Sequence, residues 1–588
     1  MKRKVLALLL LLAMALTLLS GCGRTAPSAQ TETPAPTETP AETEAPKPTQ
    51  EPAQPEKPAE ERDLLILYTS DVHCGVDKGW GYAGLAAAKE QLSKEYNVLL
   101  VDDGDAIQGE PVGTMTKGDA IIDIMNTVGY DAFLPGNHEF DYGVDHLLTL
   151  LKKANFPVIC CNFNKEGELL FDPWLIREIG GVKVGFVGVV TPDTLRGSSP
   201  KNFQDENGNF IYSFMEDKTG ERLYETVQKN VDEVRAAGAD YVVLLAHLGK
   251  NETSSPWMYS EVIANTTGID ALLDGHSHDT DQVVMKDKAG HDVVRSACGT
   301  KMANIGVLHI TRDGEISSEL YSWGSSVAAP ELLGIENSVR DAVAAATDEL
   351  NAKLSEVVAT TSIDLIINEP GRTLDDGRPL RIIRKTETNL GDLCADAFLD
   401  QAPDPDFAFI NGGAIRVSID KGSITLNDIL TVFPFGNNLT VLEVSGQQVL
   451  DALEWSVHSA PGEFGGFLQV AGLRFEYDPT IPSPCVQDEQ GFFDHIDGSM
   501  PRRVRNVVIG DDPLDPAKTY RLAGHNFMLL EGGDGYSMFK DCKVLETRGK
   551  LDNQALIDYI TETLGGNIGE GYENPYGQGR ITAVNAGS

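Results

Sequence analysis

The stretch Leu64-Leu65-Ile66-Leu67-Tyr68-Thr69-Ser70-Asp71-Val72-His73 decides the fold. Its apolar run is too short for a stable helix and is bounded by polar residues, so it reads as a buried strand. An aspartate and a histidine follow at once. The same grammar recurs at Val98 to Val101, Val158 to Cys161, Val182 to Val190, Tyr241 to Leu245 and Ile269 to Leu273. Helix-like stretches such as Tyr82 to Tyr96 and Glu221 to Ala237 lie between these runs. Short Val/Ile/Leu runs alternating with helices predict an α/β sandwich with buried strands. In such sheets, ligands bind in the loops beyond the strand ends.

The chemistry-bearing residues sit in those loops. They form the phrases Asp71-Val72-His73, Asp102-Asp103-Gly104-Asp105, Gly136-Asn137-His138-Glu139, Ala246-His247 and Gly275-His276-Ser277-His278. Mixed carboxylates and imidazoles suit borderline divalent cations, whereas oxygen ligands alone suit magnesium or calcium. One such phrase alone is more often a turn or a helix cap than a ligand. The five together, in this order, point to a metal centre.

The series resembles the calcineurin-like metallophosphoesterases over about residues 64–310. That resemblance implies a four-layer α/β/β/α sandwich with two divalent ions, zinc, manganese or cobalt. It implies that Asp71, His73, Asp105 and His278 hold one ion, and Asp105, Asn137, His247 and His276 the other. Asp105 would bridge the pair, and a water between them would be acidified into the nucleophile. His138 would donate to the phosphoryl group or leaving oxygen, oriented by Asp141. A plain helix cap is the other reading of Asp141. Cys74 is expected to be a small buried residue, and Asp102 and Asp103 to orient their loop. His146, His291, His309, His458, His495 and His525 lie outside any metal phrase and read as ordinary histidines.

Residues 331–358 read as a linker or hinge helix between a first domain, 63–330, and a second, smaller α+β domain, 359–588. Several phrases of the second block are similar to the 5'-nucleotidase C-terminal domain. They are Arg384 with Thr388-Asn389-Leu390-Gly391, Asn411-Gly412-Gly413-Ala414-Ile415-Arg416, Phe433-Pro434-Phe435-Gly436-Asn437 and Gly532-Gly533-Asp534-Gly535-Tyr536. This second resemblance implies that Arg384 and Arg416, with help from Arg381, grip phosphate. Phe435 and Phe527 would clamp a base, Asp534 would accept from ribose hydroxyls, and Asn437 would touch the base edge. The stretch from Phe527 to Asp534 is one residue longer than the family's pattern, which displaces the expected position of the second clamp ring. Two core phenylalanines are the plainer reading of Phe435 and Phe527.

Outward from these blocks, the chain opens with Lys2, Arg3 and Lys4, an apolar run from Val5 to Leu19, and Leu19-Ser20-Gly21-Cys22, which resembles the bacterial lipobox. Residues 1–22 are therefore expected to be a lipoprotein signal peptide with Cys22 as the acylated residue. Residues 23–62, rich in Pro, Thr, Ala and Glu, are expected to be a disordered tether. The resulting expectation is a protein anchored by lipid on the bacterial surface or facing the periplasm, touching the membrane only through that anchor. The 588 residues carry a formal charge of −40, with 88 acidic against 48 basic residues. This charge argues against a nucleic-acid polymer as partner. A phosphorylated substrate then requires local cations. The scattered cysteines match no zinc ribbon or disulfide framework, and no essential disulfide is expected.

These readings converge on dimetal hydrolysis of nucleotide phosphate esters, first of all a nucleoside 5'-monophosphate. UDP-sugars and 2',3'-cyclic nucleotides are the alternatives within enzymes. A non-catalytic surface binding protein is the alternative of another class, and the intact ligand set and His138 argue against it. Oligomeric state is open at this level.

Overall fold

The computed structural model describes residues 58–205, 207–251, 254–323, 337–374, 377–546 and 550–585. The signal peptide, Cys22 and the tether up to residue 57 lie outside the described residues. The expected tether ends earlier than residue 62. Ala59–Glu61 form a 3-10 turn, and Asn97 Nδ2 donates to the carbonyls of Ala59 at 2.7 Å and Arg62 at 3.2 Å.

Strands β1 (Leu64–Thr69), β2 (Asn97–Asp102) and β3 (Ala132–Phe133) run parallel, with Thr69 beside Asp102 and Asp102 beside Phe133. A second sheet uses β4 (Trp174–Ile179), β5 (Val182–Val190), β6 (Tyr241–His247), β7 (Ala271–Asp274), β8 (Thr280–Lys286) and β9 (Asp292–Cys298). Strands β10 (Asn304–Ile310) and β11 (Ile316–Ser322) return to the first sheet, whose order is β11-β10-β1-β2-β3. The second sheet is ordered β8-β9-β7-β6-β5-β4, and β5, β6, β7 and β9 are parallel.

Two-residue alternation explains the layering. On β6, Val243 and Leu245 share a core with Ile66, Tyr68 and Phe133 of the first sheet. Val242 and Leu244 instead pack with Val227, Val231 and Val234 of an outer helix, Glu221–Ala236. Helices Gly81–Leu92 and Asp119–Val128 cover the other side with Leu85, Ile121 and Met125. The result is the four-layer α/β/β/α sandwich.

Val158 to Cys161, expected as a strand, makes isolated bridges instead: Ile159 N donates to Phe133 O at 2.9 Å, and Cys161 N to Gly188 O at 2.7 Å. The segment crosses from the edge of one sheet to the other, and so continues neither ladder.

Helix Ser338–Leu354, expected as a hinge, belongs to the first domain. Val339 joins the sandwich core, with Ala342, Val343, Ala346 and Leu350 packed against it, and Asn337 Nδ2 donates to Ala83 O at 3.0 Å. Only Ser355 and Glu356 separate this helix from Val357–Thr361, a strand paired within the second domain. The connection is therefore much shorter than residues 331–358.

The second domain is built on a sheet of β12 (Phe407–Asn411), β13 (Leu439–Ser445), β14 (Leu468–Ala471), β15 (Thr519–His525) and β16 (Lys543–Glu546), ordered β14-β12-β15-β13-β16. Ala408 and Ile410 face the helix Asn389–Gln401, while Phe407 and Phe409 face Trp455. The seven cysteines of the described residues are free thiols, five of them buried.

Candidate active site

The parallel strands deliver their side chains to one edge. Asp71 and His73 follow β1, Asp105 follows β2, Asn137 follows β3, His247 ends β6, and His276 and His278 follow β7. The ligand atoms of Asp71, His73, Asp105 and His278 all lie within 4.8 Å of one another. His247 Nε2 stands 3.1 Å from Asp105 Oδ2 and 3.2 Å from Asn137 Oδ1, and His276 Nδ1 stands 2.8 Å from the same Asn137 oxygen. Asp105 thus lies between the two groups of candidate ligands.

Several of these positions are conformationally costly. Asp71, His73, Asp105, His276 and His278 have φ between 47° and 77°, a region that non-glycine residues visit rarely and that clusters at functional sites. Neighbouring loops supply compensation. Glu139 accepts from Ala106 N at 2.8 Å and Ile107 N at 3.1 Å through one oxygen, and from Asp105 N at 2.7 Å and Gly136 N at 2.6 Å through the other. It clamps the loops after β2 and β3 together, a role the Gly-Asn-His-Glu phrase does not reveal. A Cβ on Gly136 would lie 2.4 Å from Asp105 Oδ1, and one on Gly275 would lie 2.7 Å from His247 Nδ1. Both glycines leave room for the site's side chains.

The donor set fits divalent cations. His73 Nε2 and His278 Nε2 face each other at 3.0 Å beside the carboxylates of Asp71 and Asp105, a convergence of lone pairs that a cation satisfies. Burial lowers the pKa of His73 to about 3 and of His276 to about 4, which keeps these rings neutral, as ligation requires, whereas at His247 burial is outweighed by the Asp105 carboxylate and the pKa rises to about 10, so a cation bound there would displace a proton. His247 Nδ1 is held by Asp103 O at 2.7 Å and His73 Nδ1 by Gln108 O at 3.0 Å, so the ring orientations are fixed from behind.

Asp102 orients its loop as expected, accepting from Thr69 Oγ1 at 2.5 Å and Gly104 N at 3.0 Å. Asp103 does not use its side chain this way. Both its carboxylate oxygens are buried without a hydrogen-bond partner among the described residues, and only its carbonyl serves the site.

His138 stands at the mouth. Its Nδ1 lies 2.7 Å from Asp141 Oδ2, while Asp141 Oδ1 accepts from Ser198 Oγ at 2.5 Å. Burial disfavours the imidazolium, but the carboxylates of Asp141 and Asp105 together outweigh it, so the pKa of His138 is raised. Asp141 therefore commits its side chain to His138 and Ser198, and the residue capping the start of the next helix is Gly143.

The second domain completes the site. One cavity of about 210 Å³ is lined by Asp105, Asn137 and His138 on one side, and by Arg384, Arg416, Phe435, Asn437, Phe527 and Asp534 on the other. Arg381 is tied to Glu463 at 2.7 Å, whereas Arg384 and Arg416 form no ion pair among the described residues. Burial, then repulsion from Arg381, lowers the pKa of Arg416 to about 10 and depresses that of Arg384 well below its ordinary value. Two such guanidinium groups lining one cavity call for an anion.

Phe527, whose ring was expected to be displaced, lines the cavity and lies over Gly533. Between Phe527 and Asp534, Glu531 accepts from Asn526 Nδ2 at 2.8 Å and from Ser199 Oγ of the first domain at 2.6 Å. Asn411, Asp193 and Arg196 also line the cavity. Sequence reasoning missed all three, although Asn411 lies in the phrase read for Arg416.

A first domain of this fold with this cluster defines a metal-dependent phosphoric ester hydrolase. The model of the calcineurin-like phosphoesterases matches residues 64–280, and that of the 5'-nucleotidase C-terminal domain matches 358–541. The chain belongs to the 5'-nucleotidase family. It is 28% identical over 551 residues to snake venom 5'-nucleotidase of Gloydius brevicauda, covering 85% of this chain and 86% of that protein. It is 28% identical over 550 residues to 5'-nucleotidase of Bos taurus, covering 85% and 88%. The crystal structure of a 5'-nucleotidase precursor from Thermus thermophilus matches with a TM-score of 0.73 at 28% identity, covering 89% of this chain and 100% of that one.

Proposed function

We propose that the chain hydrolyses nucleoside 5'-monophosphates to nucleoside and phosphate. One observation carries the reading: Arg384 and Arg416 and the rings Phe435 and Phe527 line the same cavity as Asp105, Asn137 and His138. A phosphate at that junction would lie between guanidinium groups and the ligand cluster. A base would lie between the two rings, where stacking contributes roughly 1–3 kcal/mol.

Asp71, His73, Asp105 and His278 would hold one divalent ion, and Asp105, Asn137, His247 and His276 the other. Zinc, manganese or cobalt is the expected identity. When bound, the ions supply Lewis-acid charge and a nucleophile drawn from water. The protein's own groups do the rest. Arg384 and Arg416 hold the phosphoryl oxygens in a protein whose net charge of −40 would otherwise repel them. His138, charged and oriented by Asp141, donates a proton or hydrogen bond as negative charge develops on the leaving oxygen. Asp534 accepts from ribose hydroxyls and Asn437 meets the base edge.

The chain is also proposed to be exported and anchored through Cys22, on the support of the lipobox-like sequence. Among the described residues no helix is long and apolar enough to cross a membrane. Loss of acyl labelling and of membrane association in Cys22→Ser tests the anchor. Because the metal ligands and the nucleoside contacts come from different domains, turnover is proposed to require their apposition. A form cross-linked with the domains apart that still turned over at full rate would sink that idea.

The deciding assay is phosphate release from AMP by protein stripped of metal and reloaded with manganese, zinc or cobalt, beside His138→Ala. Metal-dependent release that falls about a hundredfold in the variant supports the reading, on the scale of a lost transition-state donor. Release from UDP-glucose or 2',3'-cyclic AMP but not from AMP would replace it.

A further inference from the structure

The second domain buries a histidine and an aspartate side by side, away from the metal ligands. His525, at the end of β15, and Asp552 are both 0% exposed, with His525 Nε2 and Asp552 Oδ2 3.6 Å apart. The edges of Phe398 and Phe433 enclose the imidazole at centroid distances of 4.8 and 5.5 Å. An apolar side chain would fill that space without the cost of burying an imidazole and a carboxyl. The pair's neighbours suggest why it is there.

On one side, Asn411 Nδ2 donates to Asp534 Oδ2 at 2.7 Å, which turns Asn411 Oδ1 toward His525 Nδ1, 3.4 Å away. The Nδ1 hydrogen then fixes the amide's orientation, so the Nδ2 edge is the one held beside Asp534 and the cavity. On the other side, Asp552 Oδ2 accepts from Asn437 N at 3.2 Å, while Asp552 N donates to Asn437 O at 2.9 Å. The next residue continues the stitching. Asn526 N donates to Asn438 O at 3.0 Å, and Asn438 N donates to Asn526 Oδ1 at 2.6 Å. Asn411, Asp534, Asn437, Phe435 and Phe527 all line the nucleoside cavity. Asn411 and Asn437 meet the pair directly, Asp534 is bonded to Asn411, and Phe435 and Phe527 lie two residues along the chain from Asn437 and His525.

We propose that His525 and Asp552 are positioning residues that set the register between the two walls of the nucleoside cavity, the Asn411–Asp534 wall and the Phe435–Asn437 loop. Resting on the nucleotidase reading above, this assigns a site role to a histidine that looks ordinary in sequence. The pair touches neither substrate nor metal; it acts through Asn411 and Asn437.

The test compares AMP with p-nitrophenyl phosphate, which has a scissile phosphate but no ribose or base, on the metal-loaded protein. His525→Phe preserves ring volume against Phe398 and Phe433 but removes the donor. It is expected to melt within a few degrees of wild type, to raise KM for AMP about tenfold with a smaller change in kcat, and to change p-nitrophenyl phosphate kinetics far less. KM for AMP within twofold of wild type would make His525 a packing residue and overturn the proposal. Equal losses on both substrates would overturn it too, by placing the effect on the phosphoryl site. Should His525→Phe fail to fold, Asp552→Asn carries the test with the same expected split, and its absence counts against the proposal. The nucleotidase reading fails separately, if wild type shows no preference for AMP over p-nitrophenyl phosphate.

Discussion

The imidazole of His138 and the ring of Phe435 come from different domains and lie nearly parallel, with centroids 5.6 Å apart and 28° between their planes. Arg416 stands over the same phenylalanine, its guanidinium carbon 5.5 Å from the ring centre. Phe435 therefore touches both the proposed proton donor and the proposed phosphate grip.

From this contact the two clamp rings are predicted to behave differently. Phe527→Ala should raise KM for AMP with little change in kcat, as expected for uniform binding. Phe435→Ala should lower kcat as well, because His138 and Arg416 lose their neighbour. Lost stacking of roughly 1–3 kcal/mol corresponds to about 5- to 150-fold in kcat/KM. Steady-state kinetics on AMP separate the two patterns, and identical effects on kcat would remove the distinction.

Lysine should replace Arg416 only in part. A charge-assisted hydrogen bond contributes about 1.5–3 kcal/mol. Arg416→Ala is thus expected to cost about 10- to 150-fold in kcat/KM, and Arg416→Lys less, since lysine keeps the charge but loses the planar fork. Full activity in Arg416→Ala would remove this residue from the phosphate site.

Gly136→Ala places a methyl group 2.4 Å from Asp105 Oδ1 and 2.9 Å from His247 Cε1. The expected outcome is loss of bound metal and a fall in activity of about 10- to 100-fold, with circular dichroism close to wild type. Metal content measured after dialysis decides it: stoichiometric retention would show that the loop can shift.

A pH effect on stability is expected far from the metals. Burial, opposed by Arg580 and reinforced by Glu387, pushes the Asp392 carboxyl up to about 8. Asp392 Oδ2 and Glu387 Oε1 both accept from Gln578 N, at 2.9 and 2.6 Å. The folded state holds a proton here that the unfolded chain, with an aspartate pKa of about 3.9, releases. The stabilisation is complete below pH ~4 and is lost as pH rises through about 8. Melting temperature should therefore fall between about pH 4 and about pH 8 and level off above, and Asp392→Asn should flatten that slope. An equal slope in the variant would place the titration elsewhere.

The ligand cluster was legible because its chemistry admits few residue types and the fold puts each one just past a strand. Asp71, His73, Asp105, Asn137, His247, His276 and His278 all meet at the edge that their positions after apolar runs imply. Residues whose work is indirect were not legible. Glu139 serves the site by accepting backbone hydrogens, which leaves no mark in composition, and His525 reads as one more core residue on a strand. The placement of Ser338–Leu354 could have been found, since Val339, Val343, Ala346 and Leu350 recur at helical spacing and all pack on the sandwich. Its place between the two blocks of motifs is what makes it read as a linker or hinge helix.

The brevity of the Ser355–Glu356 connection has a kinetic meaning. Two extended residues reach at most about 7 Å, so the domain carrying the clamp never leaves the neighbourhood of the one carrying the ligands. Each re-encounter of the halves is intramolecular, at a local concentration that diluting the protein does not change. Were the chain cut there and the halves released, assembly of the site would become bimolecular, and the rate per molecule would start to depend on how much protein is present.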